Sequence, residues 1–141
     1  MKVEILKQYS VFMSNKPGSL SRMAKFFADS GVNILGIASE VRDDSGMVRI
    51  AVDSKDAATV LSKSGFANVE TRIISVEVPD RAGELARITE ALAQGNVNIT
   101  TVYATAIGGH SARILINTDH IDKAFKLLER MAKHGEAAAA A

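Results

Sequence analysis

The sequence predicts an α+β fold in which one unit of strands and helices occurs twice. The segment NKPGSL at residues 15–20 returns as DRAGEL at residues 80–85, and GVNI at residues 31–34 returns as NVNI at residues 96–99. Both repeats lie 65 positions after the original. One offset shared by two separated segments indicates an internal duplication into units of roughly 65 to 70 residues. Units of that size bury little surface alone, so we expect the two to share a core or a sheet.

Apolar patterns place a strand, a helix and a β-hairpin at the start of the first unit. Residues 3–13 alternate, which predicts a long strand. Pro17 suits the first position of the following helix, and Gly31 is expected to end that helix. Residues 32–41 and 48–52 are predicted strands on either side of a turn. The helix positions expected to face inward are Leu20, Met23, Ala24 and Phe27.

A second helix and a closing strand complete the first unit. Ser54 is predicted to cap this helix and Gly65 to end it. Residues 69–78 alternate as the closing strand. The positions of the helix expected to face inward are Ala57, Ala58 and Leu61. The resulting βαββαβ order, with an antiparallel sheet and both helices on one face, is the ferredoxin-like arrangement.

The second unit repeats these elements as far as its last helix. Residues 97–106 and 111–117 are predicted strands on either side of a turn at residues 107–110. Thr118 is expected to cap the final helix, and Gly135 is expected to end it. The inward positions are predicted to be Leu85, Ile88 and Leu92 on the first helix and Ile121, Ala124, Phe125 and Leu128 on the second.

The duplication predicts two domains, at residues 1–70 and 71–141. The second unit lacks sequence for its closing strand, because only Glu136 and five alanines follow Gly135. Two interpretations stay open. Either the alanines stand for residues of unknown identity, or residues 1–7 complete the sheet of the second unit. The first fits the fact that genuine alanines would prolong a helix rather than form a strand. The second fits the 65-residue offset, which maps residues 1–7 onto residues 66–72, where the first unit has its closing strand. The sequence favours neither.

The composition argues against several classes of function. Seventeen basic and sixteen acidic residues give a net charge of +1, which argues against nucleic-acid and membrane partners. The absence of cysteine excludes thiol chemistry. The N-terminal residues carry charges where a signal peptide is apolar, so a cytoplasmic location is expected. His110, His120 and His134 are isolated in the sequence, and we expect no metal and no cofactor.

The repeated loop before the first helix of each unit is the predicted binding site. Backbone N–H groups at a helix start lack helical partners, and the helix dipole favours an anion there. A carboxylate could therefore lie on the N–H groups of residues 18–20. An asparagine side chain both donates and accepts hydrogen bonds, so Asn15 and Asn33 suit an amino acid zwitterion. In the second unit Asp80 would pair with the ammonium group, which makes the two sites chemically different.

The loop, the amphipathic helix and the segment Gly31-Val32-Asn33-Ile34 together resemble the ACT domain, a sensing module attached to many enzymes of amino-acid metabolism. The resemblance covers nearly the whole chain twice, which implies a stand-alone pair of such domains. It implies regulatory binding of a small ligand, usually an amino acid, at an interface between two units. Carried over to this chain, the ligand-binding residues are Asn15, Lys16, Pro17, Gly18, Leu20, Asn33 and Ile34 in the first unit and Asp80, Arg81, Gly83, Leu85, Asn98 and Ile99 in the second.

The second unit departs from the family pattern at Ala82, where proline is usual, and at Asp80, which replaces asparagine. Serine-sensing members have a histidine two residues before the loop asparagine. This chain has Met13 and Val78 at those positions, which argues against serine. Two sets of residues have simpler expected roles: Leu20, Ile34, Leu85 and Ile99 in the core, and Arg49 and Arg113 at a surface or interface.

The favoured function is a regulatory module that binds an amino acid and is not an enzyme. We expect it to pair as a homodimer, to act through a shift between unit orientations, and to regulate an enzyme of amino-acid metabolism. An acylphosphatase-like enzyme is an alternative, because Lys16 and Arg81 lie where such enzymes of this fold hold phosphate, although no nucleophile is evident. A ligand-free assembly module is the other alternative. RNA binding is disfavoured, because the third strands lack aromatic residues.

Overall fold

The computed structural model describes residues 1–106 and 108–140, with side chains as far as residue 135. Ile107, predicted to lie in the second hairpin turn, and Ala141 lie outside the described residues. The elements are β1 (Lys2–Ser14), α1 (Ser19–Asp29), β2 (Gly36–Arg42), β3 (Ser45–Val52), α2 (Ala57–Ser64), β4 (Asn68–Pro79), α3 (Glu84–Gln94), β5 (Ile99–Ala106), β6 (Ser111–Thr118) and α4 (Ile121–Ala140).

These elements form two compact units, and the predicted α+β fold class of two ferredoxin-like units is confirmed. The first unit comprises Leu6–Thr71, and the second comprises Met1–Ile5 together with the residues from Arg72 onward. Hydrogen-bonded strands follow the order β2-β3-β1-β4 in the first unit and β1-β4-β6-β5 in the second. Each unit therefore contains segments of four strands, because β1 and β4 are each divided between the two units.

The first unit buries the face of its sheet that carries α1 and α2. Strand side chains alternate between the two faces, so the inward positions of neighbouring strands meet in register. In the antiparallel β1–β3 pair, Val11 lies opposite Val48. The core residues include Val11, Met23, Phe27, Val48, Ile50 and Leu61. Burial of each such large side chain stabilises the fold by about 1.5–3 kcal/mol.

Tyr9 belongs to the same core and carries a polar group into it. Its hydroxyl donates a hydrogen bond to Glu70 Oε1 at 2.9 Å. Burial raises the pKa of Tyr9 to about 12, and the bond to Glu70 contributes in the same direction. Lys7 Nζ lies 2.9 Å from the same carboxylate oxygen. The buried Tyr9 hydroxyl is therefore bonded to a carboxylate whose charge is balanced by a lysine.

The second unit is built in the same way from the corresponding elements. Val76 of β4 lies opposite Ile114 of β6 in an antiparallel pair. Met1 and Val3 of the N-terminal segment pack against this core, which places the start of β1 in the second unit. The buried core residues include Ile74, Val76, Ile88, Leu92, Ile114, Ile116, Ala124 and Leu128.

Two predicted strands begin later than expected, because the preceding helix still determines the backbone. The Val32 N–H donates to the Phe27 carbonyl at 3.0 Å after Gly31 has turned with a φ of 69°. This is the hydrogen bond of a helix C-cap, and it leaves residues 32–35 outside β2. The second unit has the equivalent C-cap bond, in which the Val97 N–H donates to the Leu92 carbonyl at 2.9 Å, so β5 begins at Ile99.

Several predicted helix ends are also wrong. Pro17 lies in the turn before α1, because Gly18 occupies the N-cap. Asp56 is the N-cap of α2, while Ser54 accepts a hydrogen bond from the Asp56 N–H at 3.1 Å. Thr118 is the last residue of β6.

The final helix runs past its predicted end, since α4 continues to Ala140. Alanine has the strongest intrinsic helix propensity, which explains how the run of alanines extends the helix beyond Gly135. No helix within residues 1–106 and 108–140 is long and apolar enough to cross a membrane.

Periodicity also misassigned some helix positions. Ala24 and Ala58 were expected to face inward but are exposed. Leu20 and Leu85, expected in the core, are 48% and 49% exposed. The two leucines occupy equivalent positions one residue after the start of α1 and α3, so their shared exposure follows from the fold and not from local variation.

We predict that Gly83→Ala lowers the free energy of unfolding by about 1–2 kcal/mol, the cost of the left-handed backbone for a residue with a Cβ. Gly83 is the N-cap of α3 with a φ of 94°. An added Cβ would meet no atom within 4 Å, so backbone strain is the whole effect. Denaturant unfolding measures it.

Gly108→Ala is the matched control for this prediction. A Cβ at Gly108 also meets nothing within 4 Å, and the residue does not have the left-handed φ of Gly83. Its substitution should leave the unfolding free energy within about 0.5 kcal/mol of the parent. Equal losses in the two variants would contradict the assignment of the cost to φ.

Candidate functional site

The first cavity lies in the first unit, where the loop after β1 meets the β2–β3 hairpin. Its volume is about 180 Å³. Loop residues, the start of α1 and the end of β2 supply its wall. The lining residues are Met13, Ser14, Asn15, Lys16, Ser19, Leu20, Ser39, Glu40, Val41, Gly46 and Val48.

The second cavity occupies the equivalent place in the second unit, and its volume is about 230 Å³. It is lined by Val78, Pro79, Asp80, Arg81, Glu84, Leu85, Ala104, Thr105, Ala106, Ala112 and Ile114. Most of these positions follow from the lining of the first cavity by the 65-residue offset. The duplication has therefore preserved a cavity as well as a fold.

Hydrogen bonds to the hairpin hold the first loop in place. The Asn15 N–H donates to the Asp44 carbonyl at 2.8 Å, and the Asn15 side-chain amide donates to the Asp43 carbonyl at 2.9 Å. Asp43 itself has a φ of 52°, which the tight turn imposes. The loop thus closes one side of the cavity against the hairpin.

The start of α1 lies beside this loop, and the Ser19 N–H donates to the Lys16 carbonyl at 3.3 Å. Arg22 donates its N–H to the Gly18 carbonyl at 2.9 Å. The preceding N–H groups of the first turn have no residue one turn earlier to bond within the helix. Their dipoles favour a negative group at this end of α1.

The second loop is fixed in the same way but carries a different charge arrangement. The Asp80 N–H donates to the His110 carbonyl at 3.0 Å. The Glu84 carboxylate is buried, and it lies 2.6 Å from Arg81 Nε and 2.7 Å from Arg87 Nη2. The bond from Arg87, with a further contribution from Arg81, lowers the pKa of Glu84 below its usual range despite the burial.

Ion pairs across strands occur at equivalent places in both units, and Glu40 of the first pair lines the first cavity. Arg49 donates to Glu40 at 2.7 Å, and this bond lowers the pKa of Glu40. Arg113 donates to Glu77 at 3.2 Å in the second unit. Arg49 and Arg113, expected at a surface or interface, are thus both paired within their own units.

A larger surface groove of about 430 Å³ lies at the start of α4. Its Arg72 and Asp122 form an ion pair at 2.9 Å. The groove lies away from both predicted loops. Across residues 1–106 and 108–140, no group of three or more His, Asp or Glu side chains could hold a metal ion.

The structure brings together only part of the predicted site. Asn15, Lys16 and Leu20 line the first cavity. Asp80, Arg81 and Leu85 line the second. The predicted residues that line neither cavity are Pro17, Gly18, Asn33 and Ile34 in the first unit and Gly83, Asn98 and Ile99 in the second.

Asn98 illustrates why these residues lie apart from the cavity in their own unit. Its N–H donates to Asp119 Oδ1, and its carbonyl accepts from the Asp119 N–H, both at 3.0 Å. These bonds tie the start of β5 to the connection before α4. The ligand-binding role assigned to Asn33 and Asn98 stays a prediction.

Sequence reasoning missed the wall that β2 and β5 supply. Ser39, Glu40 and Val41 line the first cavity, and Ala104, Thr105 and Ala106 line the second. Ser19 and Glu84 were also missed, although the 65-residue offset pairs them and they sit inside the repeated loop segment. The exchange of serine for glutamate at one repeat position was the signal that could have drawn attention to them.

Comparison with known protein families identifies the architecture. A family model described as an ACT domain pair matches residues 4–133. The chain belongs to the ACT domain pair family. ACT domain pairs are regulatory rather than catalytic domains. Comparison with curated protein sequences found no match.

Solved structures show the same ACT pair fold. Protein BT0572 from Bacteroides thetaiotaomicron is 26% identical, with a TM-score of 0.84 over 92% of this chain and 90% of that chain. The ligand-free regulatory subunit of aspartate kinase from Thermus thermophilus is 13% identical, with a TM-score of 0.65 over 92% and 94%. Aspartate kinase from Clostridium acetobutylicum is 15% identical, with a TM-score of 0.60 over 89% of this chain and 32% of that chain.

We predict that Glu84→Gln destabilises the ACT pair at neutral pH by about 1–3 kcal/mol, the cost of disturbing a buried charged hydrogen bond. Because the folded state lowers the pKa of Glu84, its contribution is complete above the ordinary value of 4.5 and is lost as the pH falls below it. The difference between parent and variant should therefore shrink in acid. Chemical denaturation at several pH values measures it.

Glu90→Gln on the same helix is the control, because Glu90 is exposed and accepts only a 3.4 Å bond from Gln94. This variant should match the parent across the pH range. A Glu84→Gln effect that stays constant down to low pH would contradict the ion-pair assignment.

Proposed function

We propose that this ACT pair is a cytoplasmic regulatory module, not an enzyme, that binds an amino acid at its loop cavities. The observation that carries the proposal is the first cavity, in which a cation, an amide and an apolar wall meet. Lys16 and Asn15 supply the polar groups, and Leu20 and Val41 supply the apolar contact. This combination matches the carboxylate, ammonium group and side chain of an amino acid.

The size of the first cavity fits a small zwitterion. A volume of 180 Å³ corresponds to about six water molecules at roughly 30 Å³ each. The Asn15 amide uses one N–H to bind the Asp43 carbonyl. Its oxygen and second N–H remain for a ligand, and an amide oxygen accepts well from an ammonium group.

The partner class follows from the relatives that share this fold. Two of the similar structures are a regulatory subunit of aspartate kinase and an aspartate kinase described as allosteric. An enzyme of amino-acid metabolism is therefore the partner we propose. A cytoplasmic location fits the absence of cysteine from all 141 residues.

A homodimer is the assembly we propose, with the edge of the first unit as its contact. β2 is an edge strand, and Ile37 and Val41 on it are 49% and 57% exposed. Leu20, 48% exposed, lines the same cavity as Val41, so these two side chains form an apolar patch beside the cavity, and Ile37 lies on the same face of β2 as Val41. A ligand held at that contact would favour one orientation of the two copies, which a partner enzyme could recognise.

Ligand binding is tested by a thermal-shift screen of the twenty proteinogenic L-amino acids, one at a time. We expect one or a few of them to raise the melting temperature, because saturation at a hundred times Kd stabilises the folded state by about 2.7 kcal/mol. Lys16→Met should remove the shift if the ligand occupies the first cavity, and Asp80→Asn should remove it if the ligand occupies the second.

Lys55→Met is the matched control, since Lys55 is exposed and lies outside both cavities. It should bind as the parent does. The absence of any shift with all twenty compounds would contradict the proposal and favour the ligand-free assembly module.

The dimer is tested by Val41→Asp, which places a charge in the exposed apolar patch. We expect the parent to sediment as a dimer at micromolar concentration and the variant to sediment as a monomer, since an unpaired buried charge costs several kcal/mol. Val69→Asp changes a valine of similar exposure, 53%, outside the patch and should leave the dimer intact. A monomeric parent would contradict the proposed assembly.

A further inference from the structure

The two cavities differ most at one repeated position. Ser19 in the first unit corresponds to Glu84 in the second by the 65-residue offset, and each lines its own cavity. The same offset relates Lys16 to Arg81 and Arg22 to Arg87. Both units therefore have cations at two matching positions, but only the second has a carboxylate between them.

In the second unit that carboxylate is fully engaged. Glu84 is 6% exposed, although Arg81 and Arg87 keep much of their side chains in solvent. One carboxylate oxygen binds Arg81 Nε at 2.6 Å, and the other accepts from both Arg87 Nε at 3.2 Å and Arg87 Nη2 at 2.7 Å. The chain thus supplies its own anion to this cavity.

In the first unit the equivalent cations are arranged differently. Arg22 turns away, donating to the Ser64 carbonyl at 3.3 Å and lying 4.1 Å from the centre of the Phe66 ring. Lys16 has no ion-pair partner among the residues that the structure describes. Glu40, the acidic residue of this cavity, is already paired with Arg49 at 2.7 Å.

The charges around the two cavities differ. In the second cavity the carboxylates of Asp80 and Glu84 are balanced by two guanidinium groups, that of Arg81 in the cavity wall and that of Arg87, which is paired with Glu84. The first cavity has Lys16 as its uncompensated charge, because Glu40 and Arg49 neutralise each other. A ligand carboxylate is therefore attracted to the first cavity, whereas the second cavity offers it no uncompensated positive charge.

We propose that Glu84 is an internal carboxylate that closes the second cavity to anionic ligands, so that the first cavity alone takes the carboxylate of a ligand, next to Lys16. This inference rests on the proposed function and adds to it the number of sites, the place of the ligand and the charge that it must carry. It also identifies the residue pair Ser19 and Glu84 as the determinant of which unit binds.

The test uses sodium acetate, the simplest organic carboxylate, as the probe in amide NMR titrations of the full chain. In the parent, acetate should shift the amide signals of residues 15, 16 and 18–20 and leave those of residues 80–87 unchanged. Ser19→Glu should abolish the first set of shifts. Glu84→Ser should create a new set at residues 80–87, because the vacated arginines can then bind acetate.

Two further variants distinguish an effect of the glutamate charge from an effect of side-chain size or of lost folding. Ser19→Gln has the size of Ser19→Glu without its charge, so it should retain more acetate binding if repulsion is the cause. Glu84→Gln keeps the size of the native residue and replaces Glu84→Ser if that variant fails to fold. Acetate shifts at residues 80–87 of the parent, or none there in either Glu84 variant, would overturn the inference.

The amino-acid screen, repeated with the same variants, tests this inference separately from the proposed function. If an amino acid stabilises the parent, Ser19→Glu should lose that stabilisation and Glu84→Ser should raise the calorimetric stoichiometry from one site to two. Stabilisation that survives Ser19→Glu would overturn the inference and leave the proposed function standing. The expected acetate pattern without binding of any amino acid would uphold the carboxylate inference and contradict the proposed function.

Discussion

The backbone hydrogen bond between each loop and its hairpin is the interaction on which both cavities depend. It runs from Asn15 to Asp44 in the first unit and from Asp80 to His110 in the second, at 2.8 and 3.0 Å. Without it the strand end would be free of the hairpin, and the first turn of the following helix would face solvent. With it, the loop, helix start and hairpin enclose a cavity in both units, although the side chains around the two cavities differ.

Because the backbone makes the cavity, side chains could change without loss of the fold. The two units therefore retain the same enclosure and the same cations at matching positions, yet one contains a serine and the other a buried glutamate. A buried carboxylate between two arginines is stable only when both partners are present. Glu84 thus holds Arg81 and Arg87 in ion pairs within the fold, whereas Lys16 and Arg22 have no such carboxylate between them.

The fold could be predicted from the sequence because its signals repeat. The constant offset, the strand alternation and the glycines after the helices all point to the same βαββαβ order, and agreement among independent local signals is what specifies a fold. The limits of elements were less predictable. Residues 32–35 have the apolar composition of a strand, but the N–H of Val32 still closes the preceding helix. Hydrogen bonding of this kind leaves no trace in hydrophobic periodicity.

The site was less predictable than the fold, and Leu20 and Leu85 show why. Both continue the apolar stripe of their helices, so periodicity assigns them to the core. The structure exposes about half of each, and each lines a cavity from the first turn of its helix. Apolar periodicity identifies the apolar face of a helix. It does not distinguish a residue that packs on the sheet from one that is exposed and could contact a ligand or a second copy of the chain. Exposed apolar residues that recur at the same position of a duplicated unit are therefore stronger evidence for a binding surface than either residue alone.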